Sequence, residues 1–171
     1  VMRYTELGQM SWKHALAFGI GFGAVESLAL GAQSLATTVA ALAAPAVVPL
    51  PPETIAQLNN PLYGLTAITE RFFAVLLHTF SNLLIIYGAR TRQARWFWLA
   101  FAYKTGIDTI AAFAQVQGLV TFPGLWASEA FVVLWGVVGW LGIRWLRPRW
   151  PADGEDTPDG PGEAAPLPSA G

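Results

Sequence analysis

Long apolar stretches separated by short polar connections dominate this chain. Four of them, residues 14–34, 65–88, 94–117 and 124–147, reach the roughly 20 residues needed to cross about 30 Å of hydrocarbon. Each predicts a transmembrane helix, and the first is expected to continue through LATTVAALAAP, residues 35–45, as a long tilted helix. Between the first two lies PAVVPLPPETIAQLNNPLYG, residues 45–64, whose prolines and Asn-Asn-Pro predict an ordered or interfacial loop rather than another span. Pro123 marks the turn before the fourth helix. No internal repeat and no coiled-coil heptad emerges.

Composition agrees with the pattern. Of 171 residues 54% are hydrophobic and 12% charged, and the mean hydropathy is +0.44, too apolar for an ordinary soluble domain. The fold class expected is an all-α, polytopic membrane helical bundle of four transmembrane helices within residues 1–150, an integral protein of the cell membrane in contact with lipid bilayer. Residues 151–171, PADGEDTPDGPGEAAPLPSAG, carry five acids, no bases and abundant Pro and Gly, the composition of a disordered solvating tail. The net charge of −1 offers no basic surface for nucleic acid, and the lack of cysteine removes disulfides and thiolate ligands. A start at Val1 points to a trimmed chain, and VMRYTELGQMSW lacks a signal-peptide pattern, so the first span is expected to stay in the mature protein.

The basic residues predict direction. Arg3 and Lys13 precede the first span, Arg90, Arg92 and Arg95 join the second to the third, and Arg144, Arg147 and Arg149 follow the fourth. The other two connections contain no Lys or Arg. Flanking basic residues stay cytoplasmic, which places both termini in the cytoplasm. Trp12, Trp96, Trp98, Trp126, Trp145 and Trp150 lie near span ends, where tryptophan anchors a helix at the interface.

The spans themselves are not purely apolar. Glu26 falls in the first, Glu70, Arg71, His78 and Asn82 in the second, Lys104 and Asp108 in the third, and Glu129 in the fourth. Each charge costs roughly 2.5–3.5 kcal/mol at a helix centre, so these side chains are expected to face one another or water. At about 100° per residue Arg71, His78 and Asn82 share a stripe, with Ser81 beside it, and Lys104 and Asp108 share a face. Gly19 and Gly23 allow another backbone close to the first span. The economical arrangement is one polar cavity between helices. Four acids against Arg71 and Lys104 leave two negative charges unbalanced, which calls for protonated acids or a bound cation, with His78 as ligand or proton carrier. Buried pairs that merely hold helices in register account for the same residues.

Three stretches taken together, GIGFGAVESLALG (19–31), ERFFAVLLHTFSNLLIIYG (70–88) and AFAYKTGID (100–108), resemble the YhfC family of intramembrane metalloproteases, related to the CAAX-protease and bacteriocin-processing superfamily. The resemblance covers residues 3–147 and implies catalytic or structural roles for Glu26, Glu70, Arg71 and Asp108, and a zinc or other divalent metal held by His78, Glu26 and Asp108. In this scheme Glu26 is base or ligand, Asp108 ligand or orienting acid, and Glu70 with Arg71 a structural pair. Asn82, Lys104 and Glu129 line the same cavity. Arg3-Tyr4 matches the end of a family motif whose two glutamates would precede Val1. Phe22 and Lys104 stand where the family has histidine, so the resemblance implies the fold more firmly than hydrolysis. The alternative is a noncatalytic subunit that binds a membrane peptide or protein partner; proton or ion movement through Glu26, His78, Lys104 and Asp108 is a third reading.

Overall fold

A computed structural model describes residues 6–47, 49–117 and 124–151. Five α-helices follow in order: α1 (Trp12–Ala43), α2 (Pro52–Leu58), α3 (Pro61–Thr91), α4 (Ala94–Val116) and α5 (Gly124–Leu146). Single 3-10 turns, Glu6–Gln9 and Arg147–Arg149, flank them, and no strand occurs among the described residues. The tail expected at 151–171 and the turn at Pro123 lie, beyond Pro151 itself, outside the described residues, as do Arg3 and Tyr4.

Helix starts follow local chemistry. The Ser11 hydroxyl accepts the His14 amide at 3.3 Å to cap α1. Asn60 accepts the Leu62 amide at 3.0 Å with Pro61 in the first turn of α3, where a missing N–H costs nothing. The segment expected as a loop therefore contains a short helix and the beginning of α3. Its prolines initiate helices because Pro52 and Pro61 both fall at first helical positions. As expected, α1 runs on through the Ala-rich stretch to Ala43.

Among the described residues three helices are long and apolar enough to cross a membrane: α1, α3, and α5 with its following turn, Gly124–Arg149. Helix α4, with 23 residues, has the length, but Lys104 and Asp108 in its middle lower its hydropathy. The sequence reading of four spans thus stands as three apolar helices and one charged one. Within them hydroxyls bond back to their own helix, as Thr79 does to the Val75 carbonyl at 2.7 Å and Thr91 to Tyr87 at 2.8 Å, which satisfies polar groups where water is absent.

Helix α3 is the hub. It packs against α1, α4 and α5, whereas α4 and α5 touch each other far less. On the α1 side a Cβ placed at Gly19 would lie 3.0 Å from the Thr79 Cα, and one at Gly23 would lie 3.0 Å from the Val75 Cα and 3.1 Å from the His78 Cβ. Only glycine lets the two backbones come this close. On the α5 side Gly136 and Gly142 lie under Phe73 and Phe80, and Gly139 lies under the Tyr103 hydroxyl. Tyr103 of α4 donates its O–H to the Trp135 carbonyl at 2.8 Å, and Trp135 returns its indole N–H to the Tyr103 carbonyl at 3.0 Å. The two rings stack at 5.7 Å. This reciprocal pair joins α4 to α5 over a core of Leu77, Phe80, Leu84, Ala100 and Ile107.

Met10, Arg90, Trp150 and Pro151 meet at one end of the bundle. Arg90 donates to the carbonyls of Met10 and Pro151, and Trp150 donates its indole N–H to Met10 at 3.3 Å. Trp12, Tyr87, Trp96, Trp145 and Trp150 pack there edge to face or tilted, with the Arg149 guanidinium 4.1 Å above Trp145. Among the described residues Lys13, the arginines after α3 and those at the end of α5 thus gather on the same side of the bundle.

Gly23→Leu should destabilise the protein by about 1–3 kcal/mol through overpacking against α3. Gly21→Leu, which meets nothing within 4 Å, should leave the detergent-solution melting midpoint unchanged.

Candidate functional site

The close approach of α1 and α3 creates the most specific polar contact in the molecule. His78, buried on α3, donates its Nε2–H to Glu26 Oε2 of α1 at 3.1 Å. The acceptor selects the tautomer with the proton on Nε2. Gly23 stands one turn before Glu26 and lies against the His78 Cβ, so the glycine sets the distance that this hydrogen bond uses. Phe22, also one turn before Glu26, covers the imidazole with ring centroids 5.7 Å apart.

Other predicted residues sit around this pair without joining it. Lys104 donates to Asp108 Oδ1 at 3.0 Å along one face of α4, the i, i+4 pairing that the sequence implied. Arg71 donates to its neighbour Glu70 on α3. Lys104, Asp108 and Arg71 are all within electrostatic range of His78. Asn82 turns its amide back to the His78 carbonyl at 2.9 Å, as does the Ser81 hydroxyl at 3.0 Å. They stiffen the turn of α3 that carries the imidazole. Glu129 of α5 is buried, within range of Glu70 and Arg71.

The polar residues form two levels along α3 rather than one enclosed chamber. Glu70 and His78 are separated by eight residues, about 12 Å of helix. The lower level holds Glu26, His78, Lys104 and Asp108; the upper one holds Glu70, Arg71 and Glu129. Beside the first level an open hollow of about 490 Å³ runs along α1, lined by Phe18, Gly21, Phe22, Val25, Glu26 and Ala29. A second hollow of about 590 Å³, between the end of α1 and α2, is lined by apolar residues with Thr38 and Asn59. Phe22 is the residue whose part in the site the charge pattern alone does not reveal, since phenylalanine in an apolar span carries no signal.

Apolar helices packed round α3, with ionisable groups on facing helices, define an integral membrane protein with an intramembrane polar site. The chain belongs to the YhfC intramembrane metalloprotease family, whose sequence model matches residues 1–132. The match takes in α1 to α4 and the part of α5 that carries Glu129. No curated protein and no solved structure matches the chain.

Family membership implies a metal, and the donor set can be tested against one. A hydrolytic zinc centre takes three protein N or O ligands and leaves a position for water. Among the described residues no group of three or more His, Cys, Asp or Glu side chains converges. Glu26 and His78 supply two donors; the third expected ligand, Asp108, is held by Lys104, whose ammonium would repel a cation. Phe22 packs against the imidazole with a ring that cannot ligate. The described residues therefore do not fit a complete metal centre, and no chemical step follows through one.

Two donors hold zinc weakly. Full-length protein dialysed against sub-micromolar free zinc should retain well under one ion per chain by elemental analysis. One zinc per chain that His78→Ala loses would contradict the two-ligand description.

Proposed function

We propose that this YhfC-family membrane protein binds a membrane-embedded polypeptide segment in the groove between α1, α3 and α4 without hydrolysing it. One observation carries the reading. Glu26, Lys104 and Asp108 flank α3, and Arg71 lies on it, with side chains 43%, 37%, 59% and 36% exposed. Charges at span depth are not left against lipid tails, so this face calls for a polar occupant or water. A polypeptide segment supplies carbonyl and amide groups for both signs of charge. Phe22 and Phe18, half-exposed beside Glu26, supply apolar contact next to the polar one.

The topology that goes with this reading has α4 crossing the membrane as a fourth span, its Lys104–Asp108 pair turned to the groove, and both termini cytoplasmic. The converging basic clusters support it through the positive-inside rule. The natural absence of cysteine makes the test direct. Single cysteines replacing Ala94 and Gln117 should react with impermeant maleimide from opposite faces of sealed vesicles, Ala94→Cys from the cytoplasmic one. Labelling of both from one face would mean that α4 does not cross.

Hydrolysis is the second reading, and the Glu26–His78 contact favours it because a carboxylate and an imidazole are the usual holders of a divalent ion and its water. Reconstitution with a synthetic transmembrane peptide bearing a central polar residue separates the two. Binding without cleavage is expected, and Lys104→Leu should weaken it roughly tenfold, about 1.4 kcal/mol. Cleavage that His78→Ala abolishes would establish the hydrolytic reading instead.

A further inference from the structure

The contacts along α3 resolve a count that the sequence leaves open. Four acids lie in the spanning helices, and three of them have a basic partner: Glu26 meets His78, Glu70 meets Arg71 and Asp108 meets Lys104. Glu129 is the remaining one. It is also the most deeply buried of the four, only 5% exposed, and its Oε2 has no hydrogen-bond partner among the described residues.

Among the described residues the cation within electrostatic range of Glu129, Arg71, is already engaged by Glu70. From α3, Glu70 and Arg71 are the charged groups within electrostatic range, and the Arg71 guanidinium donates to Glu70. From α4, the stretch from Thr109 to Val116 contains no charged residue. The arginines of the turn after α5 lie at the opposite end of that helix. A carboxylate shut away from water needs a cation or several N–H donors, and an acid lacking both keeps its proton.

We infer that Glu129 is a proton-binding site within the membrane, held as the neutral acid. The proton is the ligand, and one carboxyl group is the whole site. Across the α3–α5 contact the Glu70–Arg71 pair lies within electrostatic range of it. Glu129 lies on α5, which does not line the proposed groove between α1, α3 and α4, so this site does not depend on whether the groove binds a peptide.

Infrared spectroscopy of the full chain in lipid reads the protonation state without requiring reagent access. At neutral pH the wild-type protein should show the C=O stretch of a protonated carboxyl above the amide I band, and Glu129→Gln should remove it. A wild-type spectrum without the band, or a band that persists in a folded Glu129→Gln protein, would overturn the inference. Unmutated protein gives a second reading should the variant fail to fold, through carbon-13 labelling of all glutamates. The band should move to lower frequency; a band that does not move would belong to aspartate and overturn the assignment.

Discussion

Hydrocarbon does not solvate charge, and every polar feature of this protein follows from that constraint. A helix can carry Glu26 or His78 through a membrane only if something inside the protein meets it. The glycines at 19 and 23 make this possible by bringing α1 against the Thr79 and Val75 backbone, at which separation a glutamate reaches an imidazole on the next helix. The packing and the chemistry are therefore one device. Bulk at Gly23 would not only cost packing energy; it would move the carboxylate away from its partner.

The same constraint explains how the other helices are used. Helix α4 carries its charges as an internal Lys104–Asp108 pair, and α3 carries Glu70 beside Arg71. Such pairs lower the cost of insertion without binding anything, which is why a charged residue in a span is not by itself a catalytic residue. What sets the Glu26–His78 contact apart is that it joins two helices. Its surroundings then argue against a simple metal centre: an aromatic ring packs against the imidazole and a fixed cation lies within electrostatic range. Membership of a metalloprotease family and a two-donor site coexist in this chain, and the first does not supply the missing donor.

Much of this was legible from the residues. The apolar runs located α1, α3 and α5, the small residues at 19 and 23 marked the contact with α3, and the i, i+4 spacing paired Lys104 with Asp108. On the α3 stripe His78 is buried, whereas Asn82 bonds its own helix. Sequence periodicity assigns a face and not a hydrogen-bond partner, and an amide can satisfy itself on the preceding turn. The 45–64 segment was misread because proline stops a helix from within and starts one at its first position. Nor could spacing tell that the polar residues divide into two levels, since that depends on where α5 and α4 sit along α3. The glycine row 136, 139 and 142, which admits Phe73, Tyr103 and Phe80, determines that alignment.

The account rests on one contact, so its most direct test is the coupling between the two residues that make it. A double-mutant cycle on Glu26→Gln and His78→Phe, read as unfolding free energy in detergent or lipid, isolates their interaction from the rest of the bundle. The structure predicts a coupling of about 0.5–2 kcal/mol, the range for polar contacts between membrane helices. Additive effects of the two substitutions, within about 0.3 kcal/mol, would show that α1 and α3 are not joined at this point and would remove the basis of the proposed site.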